Sequence, residues 1–217
     1  MGQESGHMIP DTAHDLLIRR LWAVDQEAIS NHLLRLDAET RRVRFGGAVN
    51  DESVKAYARR ILRYDSIVCG AFSSGTLRAI AELRGLYRSW PAMAEAAFSV
   101  EPDWQNGGIG DALFERVIAF ARNRGVKTLY MTCLRENERM RHLAAKHHAQ
   151  LYFCPGEVEA TLDPNWPTPL SVAIEIADET RGLTQAMFRW PAMWQQTHLR
   201  NQGFLRAGTE NKSENGI

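Results

Sequence analysis

The sequence predicts an α/β (α+β) fold in which a mixed, mostly antiparallel central sheet is flanked by helices and followed by a C-terminal helical extension. Three observations predict it. Residues 25 to 64 carry apolar side chains at helical spacing, residues 66 to 100 switch to strand-like runs joined by tight-turn chemistry, and a glycine-rich loop then opens a strand-helix-strand unit.

The first element is a short β-like run, Leu16 to Trp22. Asp25 is placed to cap a helix whose apolar residues Ala28, Ile29, Leu33 and Leu36 recur at helical spacing, and a second helix starts at Asp37 and ends at Gly46-Gly47. Asp51 is expected to cap a third, with Val54, Tyr57, Ala58, Ile61 and Leu62 on one stripe. Ser66 to Phe72 and Leu77 to Tyr87 follow as strands, and Ser73-Ser74-Gly75 between them has the composition of a hairpin turn. Ala92 to Val100 is the next strand. The helix after the glycine loop, Asp111 to Arg124, stops before Gly125 and leads into the strand Lys127 to Cys133, a unit for which a right-handed crossover is expected. Asn137 then begins a helix with Met140, Leu143, Ala144 and His147 in register. Ala149 to Phe153 and the alternating Val158, Ala160 and Leu162 form a closing hairpin across Pro155-Gly156.

Composition limits the functions open to this chain. Lys+Arg and Asp+Glu both total 26, and no block of five like charges occurs, so neither a nucleic-acid surface nor an electrostatic tail is indicated. Three cysteines, Cys69, Cys133 and Cys154, lack C-x-x-C spacing, which argues against a disulfide framework and against zinc and points to a reducing cytoplasm. No apolar stretch approaches the ~20 residues that span a bilayer. No metal is expected; the adjacent His147 and His148 cannot share one helix face and read as solvent-exposed or as partners of the helix C-terminus.

The loop Gln105-Asn106-Gly107-Gly108-Ile109-Gly110 carries the chemistry. Glycines remove the side chains that would hold an anion away, and the following helix presents unpaired N–H groups and the positive end of its dipole. A diphosphate-bearing ligand is the first reading. The dinucleotide fingerprint fails because Leu113 stands where its third glycine belongs, and the Walker Gly-Lys-Ser/Thr is absent. Gln/Arg-x-x-Gly-x-Gly/Ala fits, through Gln105, Gly108 and Gly110, and in this the chain resembles the GNAT superfamily of N-acetyltransferases; the run Asn137 to Met140 and the segment Leu36 to Phe45 loosely resemble the GNAT domains associated with bacterial protein-lysine acetylation. The likeness covers roughly residues 15 to 162.

The resemblance implies acetyl-CoA as acyl donor and a pantetheine arm lying between two splayed strands. Carried over by position, it assigns the arm to Phe98, Ser99 and Val100 and the pyrophosphate to Gln105, Asn106, Gly107, Gly108, Ile109, Gly110 and Asp111. It also assigns a cofactor contact to Asn137, which is equally a helix N-cap. It assigns the base that accepts the amine's proton to Glu95 in Ala94-Glu95-Ala96-Ala97-Phe98, although strand alternation alone could turn Glu95 to solvent. Glu82 is the second candidate, read more simply as solvent-facing. A Tyr commonly stands seven residues after the Asn to protonate the thiolate; here that residue is Ala144. Tyr130, Tyr152 and Cys133 are candidates to replace it, with core packing as the simpler reading for each. Arg41, Arg42, Arg44 and Phe45 are read as ordinary helix surface and core, or as selectors of the acceptor.

The implied activity is transfer of an acetyl group from acetyl-CoA to a primary amine on a protein lysine, a peptide N-terminus or a small molecule. The alternative is a non-catalytic acyl-CoA sensor on the same fold. The expected organisation is a flexible leader (1–14), the acetyltransferase domain (15–162), a helical extension (163–207) and a disordered tail (208–217). Thr168 and Pro169 suit the N-cap and first position of the extension's helix. Its stripe Leu170, Ala173, Ile174 and Ala177, with Phe188, Trp190, Met193, Trp194 and Phe204, is expected to pack back on the sheet, to join a homodimer, or to cover the acceptor cleft.

Overall fold

A computed structural model of the protein describes residues 16–87 and 92–184. The leader, the tail and the aromatic residues from Phe188 to Phe204 lie outside the described residues.

Seven strands form one sheet in the order β1-β2-β3-β4-β5-β7-β6. They are β1 (Leu17–Arg20), β2 (Ser66–Ser73), β3 (Thr76–Arg84), β4 (Met93–Val100), β5 (Thr128–Leu134), β6 (Gln150–Phe153) and β7 (Glu157–Leu162). Neighbours are antiparallel except β4 and β5, which run parallel. Helices α1 (Gln26–Arg35), α2 (Ala38–Phe45) and α3 (Asp51–Ala58) precede β2. Helix α4 (Ile109–Asn123) links β4 to β5, and α5 (Glu138–Lys146) links β5 to β6.

Two apolar layers sandwich the sheet. On one face Leu113, Phe114, Val117 and Phe120 of α4 meet Ala79, Ala81, Leu83, Ala94 and Ala96. On the other Ile29 and Leu33 of α1 and Val54 and Ala58 of α3 meet Val68 and Ile80. The small side chains on β3 and β4 are what let a helix bearing two phenylalanines lie close against the strands. Alternation along β4 sends Ala94 and Ala96 to the α4 face and leaves Glu95, Ser99 and then Glu101 to the α1 face.

Several local expectations are corrected. Asp25 makes no capping bond at α1; its carboxylate takes both guanidinium nitrogens of Arg19 (2.6 and 2.8 Å) and the Trp22 N–H. Asn50, not Asp51, caps α3 through the Ser53 N–H. The β2–β3 turn has two residues, Ser74 and Gly75, both at positive φ (47° and 77°), the conformation whose twist matches the flanking strands.

Residues 169–184 are helical. The chain divides into two units after Ala177. Within the first, Thr168 and Ser171 cap the helix reciprocally, each side-chain oxygen accepting the other's N–H (3.1 and 3.0 Å). The contact with α4 is polar: Ser171 and Glu175 bind Asn123, and Glu175 takes Arg124 at 2.6 Å. The apolar stripe does not pack inward as expected, since Leu170 is 70% and Ile174 53% exposed.

Candidate active site

The parallel ladder between β4 and β5 has only three rungs, Met93↔Thr128, Ala94↔Leu129 and Glu95↔Tyr130. Beyond Glu95 the two strands part, while β4 stays paired with β3 as far as Val100. The β5-facing edge of β4 from residue 96 to 100 therefore has no partner strand, and its main-chain donors and acceptors face a gap. Side chains there are engaged elsewhere. Phe98 stacks on Phe114 (centroids 5.2 Å), and Ser99 hydrogen-bonds His32 at 3.0 Å. An extended polar arm laid in the gap would complete the ladder.

This gap belongs to a cleft of about 1030 Å³ that runs from Glu95 along Phe98, Ser99 and Val100 to Gln105, Asn106, Gly108, Gly110, Asp111 and Asn137. Gly107 does not line it, and the Ile109 side chain is buried in the core (5% exposed), which leaves Ile109 only its main chain to offer. Gln105 ties the loop to its strand, its amide donating to the Val100 carbonyl at 3.0 Å.

Two properties suit the loop to a diphosphate. Gly108, at φ 79°, is the N-cap of α4 and supplies no side-chain capping bond, so the first N–H groups of a fifteen-residue helix are unclaimed. At Gly107 and Gly110 the backbone is in conformations open to any residue, and a Cβ would meet nothing closer than 3.9 and 3.7 Å. The fold does not require glycine there, and at Gly110, which lines the cleft, the absent side chain leaves the main chain open to approach. Arg139 and Lys146 of α5 add positive charge to the same wall, which His142, between them at i+3, also lines. Asp111 is bonded by Lys146 (2.7 Å) and by the His147 ring (2.8 Å), and these contacts hold its carboxyl below the usual range. Asn137 caps α5, its side-chain oxygen accepting the Met140 N–H at 3.1 Å, and also lines the cleft. Of the two readings of His147, the place at the helix C-terminus is the one seen: it is the C-cap of α5, only 13% of its side chain is exposed, and its ring stacks on Phe114 at 4.5 Å.

A second cavity, about 640 Å³, adjoins the first. Tyr57, Arg84 and Glu95 line both. Glu95 thus stands where the strands fork and where the cavities meet, paired with Arg84, which lies directly opposite it on β3. Tyr130 is its neighbour across the fork; burial first, then the charge of Glu95, raises the Tyr130 pKa.

Glu82 is not the solvent-facing residue expected. It is 1% exposed, ion-paired with Arg44 and bonded by the Tyr57 hydroxyl at 2.6 Å. Arg44 in turn is buried, not on the helix surface, and lies over the rings of Phe45 (5.1 Å) and Tyr57 (5.4 Å). Burial pushes the Tyr57 hydroxyl up to about 12 against the opposing pull of Arg44. Both oxygens of Glu82 are therefore engaged, which leaves Glu95, of these two carboxylates, as the one shared by the cleft and the second cavity. Arg41 and Arg42 are spent on surface pairs with Asp51, Glu39 and Glu136.

Behind β4 a buried chain runs Ser99, His32, Glu101. Glu101 accepts from His32 Nδ1 (3.2 Å), Arg35 (2.9 Å) and Arg78 (2.9 Å). Burial pushes its pKa up, and these hydrogen bonds overcome that to hold it at about 2. The ionised carboxylate assigns the proton to Nδ1, so the neutral ring accepts the Ser99 hydroxyl at Nε2. The chain anchors the end of β4 that borders the gap.

The match to known proteins follows this geometry. The model of the acetyltransferase (GNAT) family matches residues 32–149. The chain belongs to that family. Among solved structures, the GNAT domain of S. lividans PAT is 22% identical, with a TM-score of 0.59 over 67% of this chain and 89% of that one. The ribosomal-protein-S18-alanine N-acetyltransferase from Escherichia coli is 18% identical, with a TM-score of 0.54 over 71% and 97%. The putative acetyltransferase yncA from Salmonella typhimurium, solved with acetyl-CoA, is 19% identical, with a TM-score of 0.52 over 70% and 95%. No curated protein matches the sequence. At these identities the structures speak for the GNAT fold with its forked sheet. Among the described residues no helix is long and apolar enough to cross a membrane, and no group of three His, Cys, Asp or Glu could hold a metal.

Sequence reasoning missed Arg84, Tyr57 and the cationic face of α5. Arg84 had a signal in the cross-strand alternation of Glu82 and Arg84 against Glu95, and α5 had one in its i, i+3, i+7 spacing. Tyr57 had none, being hidden in an apolar stripe.

Proposed function

We propose that this protein is an N-acetyltransferase that moves the acetyl group of acetyl-CoA to a primary amine, with Glu95 as the base. The observation that carries the reading is the position of Glu95, last paired residue of the fork and shared wall of the cleft and the second cavity. Bound acetyl-CoA supplies an activated thioester carbon. The uncapped start of α4 and the loop Gln105–Gly110 hold its diphosphate, and Asn137 adds a polar contact. The open edge of β4 at Phe98, Ser99 and Val100 pairs with the pantetheine arm and aims the thioester at the junction.

Glu95 takes the proton that an ammonium must lose before its nitrogen can attack, a demand set by an amine pKa of about 10. The thiolate needs less help, because a thiol of pKa about 8.5 is a fair leaving group. That accords with Ala144 in place of the customary tyrosine; its side chain is 1% exposed and offers no proton. Cys133 and Tyr130 border the cavities, and burial raises the pKa of both, which keeps them protonated.

The test is release of free thiol from acetyl-CoA with a panel of amines. Glu95→Gln is expected to lower turnover by about 10²-fold or more while leaving coenzyme A affinity within about twofold. Saturable coenzyme binding with no thiol release across the panel would favour the sensor reading instead.

A further inference from the structure

The Glu95–Arg84 pair lies at the mouth of the second cavity with both side chains part-exposed, at 31% and 35%. The other carboxylates of that cavity are committed. Glu82 is closed off by Arg44 and Tyr57, and Asp65 is 3% exposed beside Arg63 at 3.3 Å. Arg60 also lines the cavity, and among the described residues its guanidinium binds only the Ala56 carbonyl of its own helix turn. The lining carries Arg60, Arg63 and Arg84 against Asp65, Glu82 and Glu95, and because Glu82 is met by Arg44 from outside the lining, Arg60 is the cation left over.

An ammonium group that enters must reach Glu95, and Arg84 occupies that carboxylate. Displacement of Arg84 leaves a guanidinium with the Tyr57 hydroxyl at 3.4 Å and the charge of Glu82, a carboxylate already paired with Arg44. An uncompensated, part-buried charge opposes binding, so an acceptor that brings only positive charge is disfavoured. An acceptor that brings a carboxylate a few bonds from its amine resolves both demands. Its ammonium replaces Arg84 at Glu95, and its carboxylate replaces Glu95 at Arg84, where the planar guanidinium can bind it bidentately. Arg60 supplies the extra positive charge, and about 640 Å³ suits a small molecule.

We propose that the acceptor is a small amino acid-like molecule, an amine with a carboxylate a few bonds away, bound by exchange of partners in the Glu95–Arg84 pair; this rests on the acetyl-transfer reading above. The nitrogen forms a bond to the acetyl carbon as the carbon–sulfur bond breaks and the electron pair leaves with sulfur. Of the two protons the ammonium gives up, one passes through Glu95 to solvent and the other ends on the departing thiolate.

The experiment compares α-, β- and γ-amino acids with their carboxamides, diamines of matched length and a lysine peptide, read as thiol release from acetyl-CoA. In parallel, the same compounds are titrated calorimetrically into protein saturated with coenzyme A. At least one free amino acid is expected to exceed its carboxamide tenfold or more in kcat/KM. Arg84→Gln should collapse that ratio toward one. Arg60→Gln, at an exposed position, should lower it about threefold and tests the same idea if the Arg84 variant does not fold. Equal rates for carboxylate and carboxamide, or the lysine peptide as best acceptor, overturn the proposal and leave acetyl transfer standing. Tighter binding of carboxylates with no thiol release from any compound overturns acetyl transfer and leaves the ligand class standing. Neither turnover nor carboxylate binding overturns both.

Discussion

The coenzyme cleft and the cavity beside it share Tyr57, Arg84 and Glu95, yet they are walled by different materials. The cleft offers main chain: an open strand edge, an uncapped helix start and glycines that the fold itself does not need. The cavity offers paired charges from β3, β4 and the segment that follows α3. Main-chain recognition suits a ligand used in common by many acetyltransferases, because it is indifferent to the side chains around it. Charge pairs suit a ligand that must be chosen, because each unmet charge excludes a competitor.

The sharpest way to break this division is at Arg44. Arg44→Met leaves the Glu82 carboxylate, 1% exposed, with the Tyr57 hydroxyl as its remaining donor among the contacts seen here. A loss of about 3–5 kcal/mol in urea unfolding is expected, with Glu82→Leu in the same chain recovering most of it. If the single variant is as stable as the parent, the pair does not carry the cavity wall.

Gly108→Val attacks the other side. At φ 79° a β-branched residue is strained by about 1–2 kcal/mol even though a Cβ there meets no atom within 4 Å. Relief of that strain reshapes the helix start, so coenzyme A affinity should fall about tenfold or more by calorimetry. Gly107→Ala should leave stability within about 0.5 kcal/mol, since neither conformation nor space forbids it. Equal coenzyme affinity in Gly108→Val and the parent would remove the loop from the phosphate site.

Acid should expose the anchor behind β4 in two stages. Burial lowers the His32 pKa from its ordinary 6.5, against the pull of Glu101 and with the help of Arg35 and Arg44. The unfolded chain therefore binds the proton first, and stability falls as pH drops below about 6.5 toward the lowered folded value. Glu101 moves from 4.5 to about 2, so its contribution is full above 4.5 and is lost as pH falls from 4.5 to about 2; the displacement corresponds to on the order of 3 kcal/mol. Urea midpoints measured from pH 7 to 3 should decline in both windows, and the upper decline should disappear in His32→Gln. A flat profile between pH 6.5 and 5 would show that His32 titrates alike in both states.

What could be read in the sequence divides along the same line. The element order, the glycine loop and Asn137 were legible because each is local: periodicity, turn composition and capping need only neighbours in the chain. Glu95 was singled out through the family resemblance, and its place at the fork of the sheet could be seen only in the fold. The state of Glu82 was not, since its burial depends on Arg44 and Tyr57, 38 and 25 residues away on separate helices. The partner of His147 was hidden for a similar reason: Asp111 is 36 residues away at the start of another helix. The helix at 169–177 reverses the usual inference, because two polar side chains, Ser171 and Glu175, chose the buried face over a clean apolar stripe. Pattern reports which face is apolar, and only the partner surface decides which face docks.

The smallest expected effect tests whether one residue serves both the fold and the cleft. Asn137 caps α5 through its side-chain oxygen and also lines the cleft proposed to hold the coenzyme. Asn137→Ala removes the cap and should cost about 1 kcal/mol. Asn137→Asp keeps an oxygen in place for the Met140 N–H and favours a helix N-terminus, so its stability should stay within about 0.5 kcal/mol of the parent. The two part company from stability in coenzyme binding. Alanine loses the polar contact and aspartate sets a negative charge beside an anionic ligand, so both should weaken coenzyme A several-fold, with aspartate the weaker at low salt. A fully stable Asn137→Asp that binds coenzyme A as tightly as the parent would reduce Asn137 to a helix cap and leave the cleft to the loop and the strand edge.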